Sequence, residues 1–401
     1  MWTKLVFIAI GLAFFPGNFS GNKVAIAQVN GDNSALIRQL PEAAAWDNEL
    51  LGWDEQIWGN ASQTGDRHRL LQAIDHSLRY LQRPAAAQVY AQYAIPGFTL
   101  DRVQRSLERF RQLVVMSPSP EALQAAVLRE FDLYQSIGTD GLGTVEFTGY
   151  FEPTYQASQI PTADYQYPLY RPPADLDTWP HPHPTRSQLE GDDGLQSDRR
   201  LRGLELVWLR DRFEAFLVQV QGSARLQLTD GTTMSVGYAG HTHYPYTSIG
   251  RELINDGKIS EAELSLPAVM DYFRLHPADL NSYLSRNNRF VFFRETFGAP
   301  PTGSLGVPVT SERSIATDKS IMPPGALALI QTDLPSSTNS RDSELEPQWV
   351  SRYVLDQDTG GAIRGAGRVD IFMGTGQSAG DRAGLVNSRG HLYYLLVKDS
   401  V

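Results

Sequence analysis

The stretch Asp356–Val397, DQDTGGAIRGAGRVDIFMGTGQSAGDRAGLVNSRGHLYYLLV, carries the features that decide the fold. Asp358 and Asp370 lie twelve residues apart, joined by a segment holding Gly360, Gly361, Gly365 and Gly367. That glycine density lets the backbone take positive φ and turn sharply. Val369-Asp370-Ile371-Phe372 is an apolar run that predicts a buried strand. A carboxylate between Val and Ile is costly to bury unless it is paired, hydrogen-bonded or protonated. An isolated Asp there reads as a structural turn residue; one embedded in a strand and preceded by a second glycine-held Asp reads as functional. Downstream, Gly374-Thr375-Gly376-Gln377-Ser378-Ala379 imitates a dinucleotide fingerprint. No βαβ unit with a ribose-binding acid follows, so the segment predicts a tight strand-to-helix turn.

The remaining composition narrows the class. At 401 residues the chain has material for two domains, and 41% hydrophobic with 20% charged residues is ordinary for a globular protein. A net charge of −10 with no basic run argues against nucleic acid as the main partner. Cysteine is absent, which excludes disulfides, thiolate metal sites, a cysteine nucleophile and a cysteine-linked lipid. At the N-terminus Lys4 precedes the apolar run Leu5–Phe15, and Ala25-Ile26-Ala27 offers a small-x-small cleavage site. The expectation is a signal peptide over 1–27, with an uncleaved anchor as the competing reading. A cysteine-free exported protein fits a periplasm.

Residues 28–63, with Trp46, Trp53 and Trp58, read as an irregular packed lead-in. Helical spacing follows: Leu70, Leu71, Ile74, Leu78 and Leu81 on one face; Val103, Leu107, Phe110 and Val114 behind an Asp101 cap; and a third helix opened by Ser119-Pro120-Glu121, with Leu123, Val127, Phe131 and Tyr134 inward. From Gly143 the period becomes two, and strands are predicted through about Val236, including 204–209 and Phe213–Val220, with a turn at Asp230-Gly231. Residues 171–203 read as a long surface excursion. Helices are predicted after Thr247-Ser248 and over 266–284, a strand over 289–294, and a polar loop over 333–347.

Three aspartates, Asp318, Asp358 and Asp370, stand in comparable settings; clustered carboxylates raise one another's pKa and can keep one protonated as a general acid. Taken singly, Asp318 and Asp358 also fit hydrogen-bonded turn residues. Two His-x-His pairs occur, His181/His183 and His241/His243. Without thiolates or an evident third ligand, neither pair reads as a metal site. The aromatics around the second pair suit sugar stacking, because a pyranose offers an apolar face and hydroxyl edges.

With these residues in view, the sequence resembles the membrane-bound lytic murein transglycosylase A family, and its C-terminal part resembles the three-aspartate (3D) domain. The matching segments are Thr148-Gly149-Tyr150-Phe151-Glu152-Pro153, Val220–Ala224, Val236–Gly240, Pro245–Arg251, Val291–Arg294, Ala316-Thr317-Asp318, Asp358–Ile363 and Val369–Ile371. Two departures stand out. Members often carry a lipobox cysteine, and this chain has none; and His241-Thr242-His243 stands where a Gln-Asn-Gly-type sequence is common.

The resemblance implies a mainly β fold with N-terminal helices (α+β): a double-psi β-barrel domain plus a second inserted β-rich domain, with a groove between them. In this chain it implies helices and barrel over 64–150 and 290–401, and a substrate-binding insert over 151–289. It implies non-hydrolytic cleavage of the β-1,4 MurNAc–GlcNAc bond of peptidoglycan, giving 1,6-anhydromuramoyl ends. The catalytic acid falls on Asp370, supported by Asp358 and Asp318. Tyr150, Glu152, Gln221, Ser223, Tyr238, Gly240, Tyr246 and Thr359 are the expected sugar contacts. Peptidoglycan glycan strands are the expected partner of a monomer without cofactor or metal, with cell-wall synthesis or division complexes as further candidate partners. The missing lipobox cysteine makes the expectation a soluble, exported periplasmic protein rather than a lipoprotein, with outer-membrane association as the alternative. Two other readings stand beside it: a peptidoglycan or β-glucan hydrolase using Asp370 with Asp358 or Glu152, and a non-catalytic wall-binding protein.

Overall fold

A computed structural model describes residues 34–39, 51–60, 63–196, 198–335 and 347–399. The expected signal segment therefore lies outside the described residues, as does most of the 333–347 loop. The chain forms two compact units. One comprises the described residues up to Gly149 together with Thr302–Phe372 and the segment from Leu385 onward; the other comprises Tyr150–Pro301 and Met373–Gly384.

In the first unit six strands close on themselves. Around the circuit the order is Asn387–Val397, Leu327–Pro335, Pro347–Asp358, Ser314–Ala316, Arg368–Thr375 and Val145–Glu152, each paired with the next. The circuit closes where Asn387–Gly390 lies antiparallel to Val145–Thr148. This is the double-psi β-barrel. Closure leaves the six strands without a free edge among themselves. Ser314–Ala316 runs parallel to Pro347–Asp358 and antiparallel to Arg368–Thr375. Phe131–Ser136 extends the sheet from Asn387–Val397, and Leu36–Arg38 pairs on its far side, so part of the lead-in is strand.

Among the described residues four α-helices accompany the barrel: Arg67–Leu81, Pro84–Ala91, Leu100–Met116 and Pro120–Glu130. The stripe Val103, Leu107, Phe110 and Val114 is buried. The cap of that helix is Thr99, whose hydroxyl accepts the Arg102 N–H at 3.2 Å, and Asp101 sits in the first turn instead. Phe131 and Tyr134 are inward, but on a strand. The helix ends at Glu130, because the following residues pair with Asn387–Val397.

Arg313 has no solvent exposure and joins this unit across the chain. Its guanidinium donates to Asp54 at 2.5 Å, to Asp66 at 2.6 and 2.8 Å, and to the Tyr353 carbonyl at 2.9 Å. Two buried carboxylates so placed hold the Arg313 pKa above its ordinary value despite the opposing effect of burial.

The second unit holds a sheet ordered Val291–Glu295, Thr233–His241, Ser223–Leu228, Thr154–Ser158, Glu205–Leu209 and Tyr167–Tyr170. Val291–Glu295 lies against His241 through Val236, which carries this unit past the expected end at 289. Phe213–Val220, expected as a strand, lies within the helix Arg212–Gln221. Asp211 caps it through the Phe213 and Glu214 N–H groups at 2.7 and 3.0 Å, and Gly222 ends it at φ 81°. The reason is two-sided burial. Ala215 and Val218 face the sheet core, while Phe213, Phe216 and Leu217 face the helices Ile249–Asn255 and Leu266–Leu275. A helix apolar on both sides loses its polar stripe and imitates a buried strand.

Replacing Arg313 with Met should destabilise the protein by about 3–5 kcal/mol, since Asp54 and Asp66 would be left buried without a counter-charge. Urea unfolding measures this directly, and a loss below 1 kcal/mol would show that the cluster does not hold the unit together.

Candidate active site

The barrel register assembles the three aspartates. Ala316 pairs with Asp358 on one side and with Asp370 on the other, so the two carboxylate-bearing residues flank one backbone position. With neighbouring strands about 4.8 Å apart, their Cα atoms are separated by roughly 10 Å. Asp318 lies two residues beyond Ala316, in the turn that leaves this short strand.

The three are not equivalent. Asp370 is half-buried, and its Oδ1 accepts the Thr148 hydroxyl at 2.9 Å. Burial pushes its pKa up to about 6, aided by the Asp358 charge and opposed by Arg368, the Thr148 hydroxyl and the Ile371 N–H. Arg368 also donates to the Thr148 oxygen at 3.2 Å, which orients that hydroxyl toward Asp370. Asp358 Oδ1 accepts two backbone N–H groups, Ser304 at 2.7 Å and Thr359 at 2.8 Å.

Asp318 is buried. Its oxygens accept the Ser320 hydroxyl at 2.6 Å, the Ser320 N–H at 3.1 Å and the Gly365 N–H at 2.8 Å. Burial works to raise its pKa, but these donors, with Arg364 nearby, outweigh it and hold the carboxyl below its ordinary value. Asp318 is thus a fixed carboxylate that ties its turn to the glycine-rich segment. Asp370, by contrast with Asp318, keeps its acid form toward neutral pH.

Behind them sits a residue that sequence reasoning passed over. Asp356 is fully buried, bonded to Lys319, to the Tyr394 hydroxyl at 2.7 Å and to the Thr317 hydroxyl at 2.8 Å. Lys319 also donates to the Asp358 carbonyl, so this cluster fixes the backbone on which Asp358 and Asp318 stand. Thr148 and Arg368 were also missed as site residues. Arg368 carried a signal, since two residues from Asp370 along a strand is the same face; Thr148 comes from a strand far away in sequence.

The expected sugar contacts fall in different settings. Thr359 is exposed beside Asp358. In the second unit, Tyr238 is 46% exposed and its hydroxyl bonds to His241. Gly240 sits at a register shift opposite Phe292. Tyr150, Ser223 and Tyr246 are half-buried, and the Gln221 side chain accepts the Phe151 N–H at 3.2 Å. Glu152 does not face solvent. It is 1% exposed, paired with Arg225 at 2.8 Å and bonded to the Thr375 hydroxyl at 2.8 Å, which commits it to holding its own unit together. The two His-x-His pairs, read separately from the sequence, meet: the His181, His183 and His243 rings lie 4.3–5.0 Å apart between centroids.

Comparison with known proteins follows the same division. A family model described as the MltA specific insert domain matches residues 146–294, and one described as the 3D domain matches 313–396. The membrane-bound lytic murein transglycosylase A of Escherichia coli K12 is 33% identical over 272 residues, covering 67% of this chain and 70% of that protein. The chain belongs to the membrane-bound lytic murein transglycosylase A family. Its Vibrio cholerae relative of the same name is 30% identical over 307 residues, covering 75% of this chain and 78% of that one. Among solved structures, a membrane-bound lytic murein transglycosylase from Agrobacterium tumefaciens aligns at TM-score 0.67 and 28% identity, covering 83% of this chain and 93% of that one. E. coli MltA with bound chitohexaose aligns at 0.64 and 27%, covering 82% and 89%.

Thr148→Val keeps the side-chain shape and removes the donor that favours the Asp370 carboxylate, so the Asp370 pKa should rise further. A carbon-13 titration of the Asp370 carboxyl reads the shift, and an unchanged midpoint would show that the hydroxyl does not act on this acid.

Proposed function

We propose that the protein is a lytic transglycosylase that cleaves the β-1,4 MurNAc–GlcNAc bond of peptidoglycan without water and leaves 1,6-anhydromuramoyl ends. Family membership supports the activity, and so does the sugar-bound E. coli relative. The observation that carries the chemistry is a single carboxyl, Asp370, raised to about 6 beside two aspartates anchored by backbone donors. Asp370 protonates the glycosidic oxygen as the C1–O bond breaks. Its carboxylate then takes the proton from the MurNAc C6 hydroxyl while that oxygen closes on C1, so one group serves both steps. Burial, aided by the Asp358 charge, raises the Asp370 pKa, and Asp318 holds the turn that supports them both.

A hydrolase needs a second carboxyl free to place water or to attack the sugar. Glu152, one candidate for that role, is buried against Arg225. Asp358 is the remaining candidate, which makes the product mass decisive: anhydro ends are lighter than reducing ends by one water. Export to the periplasm belongs to the same reading, supported by the "membrane-bound" names of the relatives. Among the described residues no helix is long and apolar enough to cross a membrane.

Asp370→Asn should lower turnover on purified sacculi by about 10²–10⁴-fold or more, because Asn cannot move either proton. In the wild type, kcat/KM should fall as pH rises through about 6, where the required acid form is lost. A nearly normal Asp370→Asn with an inactive Asp358→Asn would move the acid to the other carboxylate.

We also propose that the insert binds the glycan and that Tyr238 stacks on a sugar, supported by its exposed ring. Tyr238→Ala should weaken glycan binding with little change in Tm; the reverse pattern would make it a packing residue.

A further inference from the structure

The second unit holds a histidine cluster that the proposed reaction does not use. His181 and His183 come from the 171–203 excursion, and His243 from the segment that follows the Thr233–His241 strand. One ring nitrogen from each lies within 4.8 Å of the others. Around a tetrahedral ion with metal–nitrogen bonds of about 2.0–2.1 Å, ligating imidazole centroids are spaced by roughly 5 Å. Here His181 stands 4.9 Å from His183 and 5.0 Å from His243, and His183 to His243 is 4.3 Å.

Two further observations point the same way. His183 is 3% exposed, and its Nε2 has no hydrogen-bond partner among the described residues. A buried polar nitrogen left so has lost its hydration without compensation, which bonding to a cation would recover. The cluster is also held in place before any ligand arrives. The Tyr244 hydroxyl donates to the His183 carbonyl at 2.5 Å. Thr242 is fully buried and exchanges backbone and hydroxyl bonds with Phe290 at 2.9 Å. Arg186, on the excursion, donates to the Asn287 and Arg289 carbonyls at 2.9 and 2.7 Å.

We propose that His181, His183 and His243 form a binding site for a divalent transition-metal ion of the zinc class. Neutral imidazole suits such ions, and hard oxygen-seeking cations find no carboxylate among these three ligands. His183 supplies the fixed ligand. Ligation through its Nε2 places the ring proton on Nδ1 and gives up the long 3.4 Å contact from the His243 N–H. The rings lie within 28° of parallel, so the exposed His181 and His243 turn to aim their lone pairs at the ion. Three protein ligands leave the fourth position to water. The ion clips the excursion to the segment after the Thr233–His241 strand, both within one unit.

The test uses the full chain without a histidine tag. Calorimetry with Zn²⁺ should give one site per chain, Zn²⁺ should raise the Tm, and Co²⁺ should give intense visible bands of tetrahedral type. His181→Gln and His243→Gln change only exposed rings, so both should fold. Each should weaken Zn²⁺ binding by at least about 10-fold, the loss seen when even an outer partner of a metal site is removed. Binding that is absent, or unchanged in both variants, would overturn the site and leave a packed stack of imidazoles. Because the readouts are binding, Tm and Co²⁺ absorption, they are independent of whether the transglycosylase reading holds.

Discussion

Backbone pairing along Ser314–Ala316 is the constraint on which the chemistry of the barrel depends. All three residues pair on one side with a parallel strand, and Ile315 and Ala316 pair on the other with an antiparallel one, so Asp358 and Asp370 meet across Ala316. So short a strand cannot hold itself by its own ladder. It is held from behind by Arg313, whose bonds to Asp54, Asp66 and the Tyr353 carbonyl bring the lead-in, the first helix boundary and the barrel to one point. It is held in front by the Asp356–Lys319–Thr317 cluster, which fixes the turn that follows.

Within that frame, the environment assigns different roles to chemically identical side chains. Asp318 accepts three donors and stays ionised; Asp356 is buried against a lysine; Asp358 is anchored by backbone N–H groups and lends its charge. Asp370 has one hydroxyl, one N–H and an arginine at a remove, which is too little to offset burial. A general acid near neutral pH needs this imbalance: enough contact to fix the carboxyl, too little to ionise it. The barrel produces it by drawing Thr148 and Arg368 from two different strands.

The second unit uses other means. Its sheet is covered by a helix buried on both faces, and its long excursion is fastened by Arg186 to the 287–289 backbone rather than by regular pairing. That fastening brings His181 and His183 to His243, although the two His-x-His segments are about sixty residues apart in sequence.

The sequence by itself determined the local features whose causes are local. The glycine-rich link, the apolar strand around Asp370, the Ser119 and Ser248 helix starts and the Asp230-Gly231 turn all follow from backbone sterics, capping and period. The ordered string of short segments was also legible, and with it the family and Asp370 as the acid to consider. What only the tertiary structure decided depends on partners distant along the chain. The helix at 212–221 is set by burial on two sides, which erases the periodicity that would announce it. The strand at 131–136 exists because Asn387–Val397 is there to pair with it. Burial of Glu152, the different settings of the four aspartates and the meeting of the histidines likewise arise from contacts between segments. Charge, hydrogen bonding and solvation act through space, and the linear spacing of residues does not encode them.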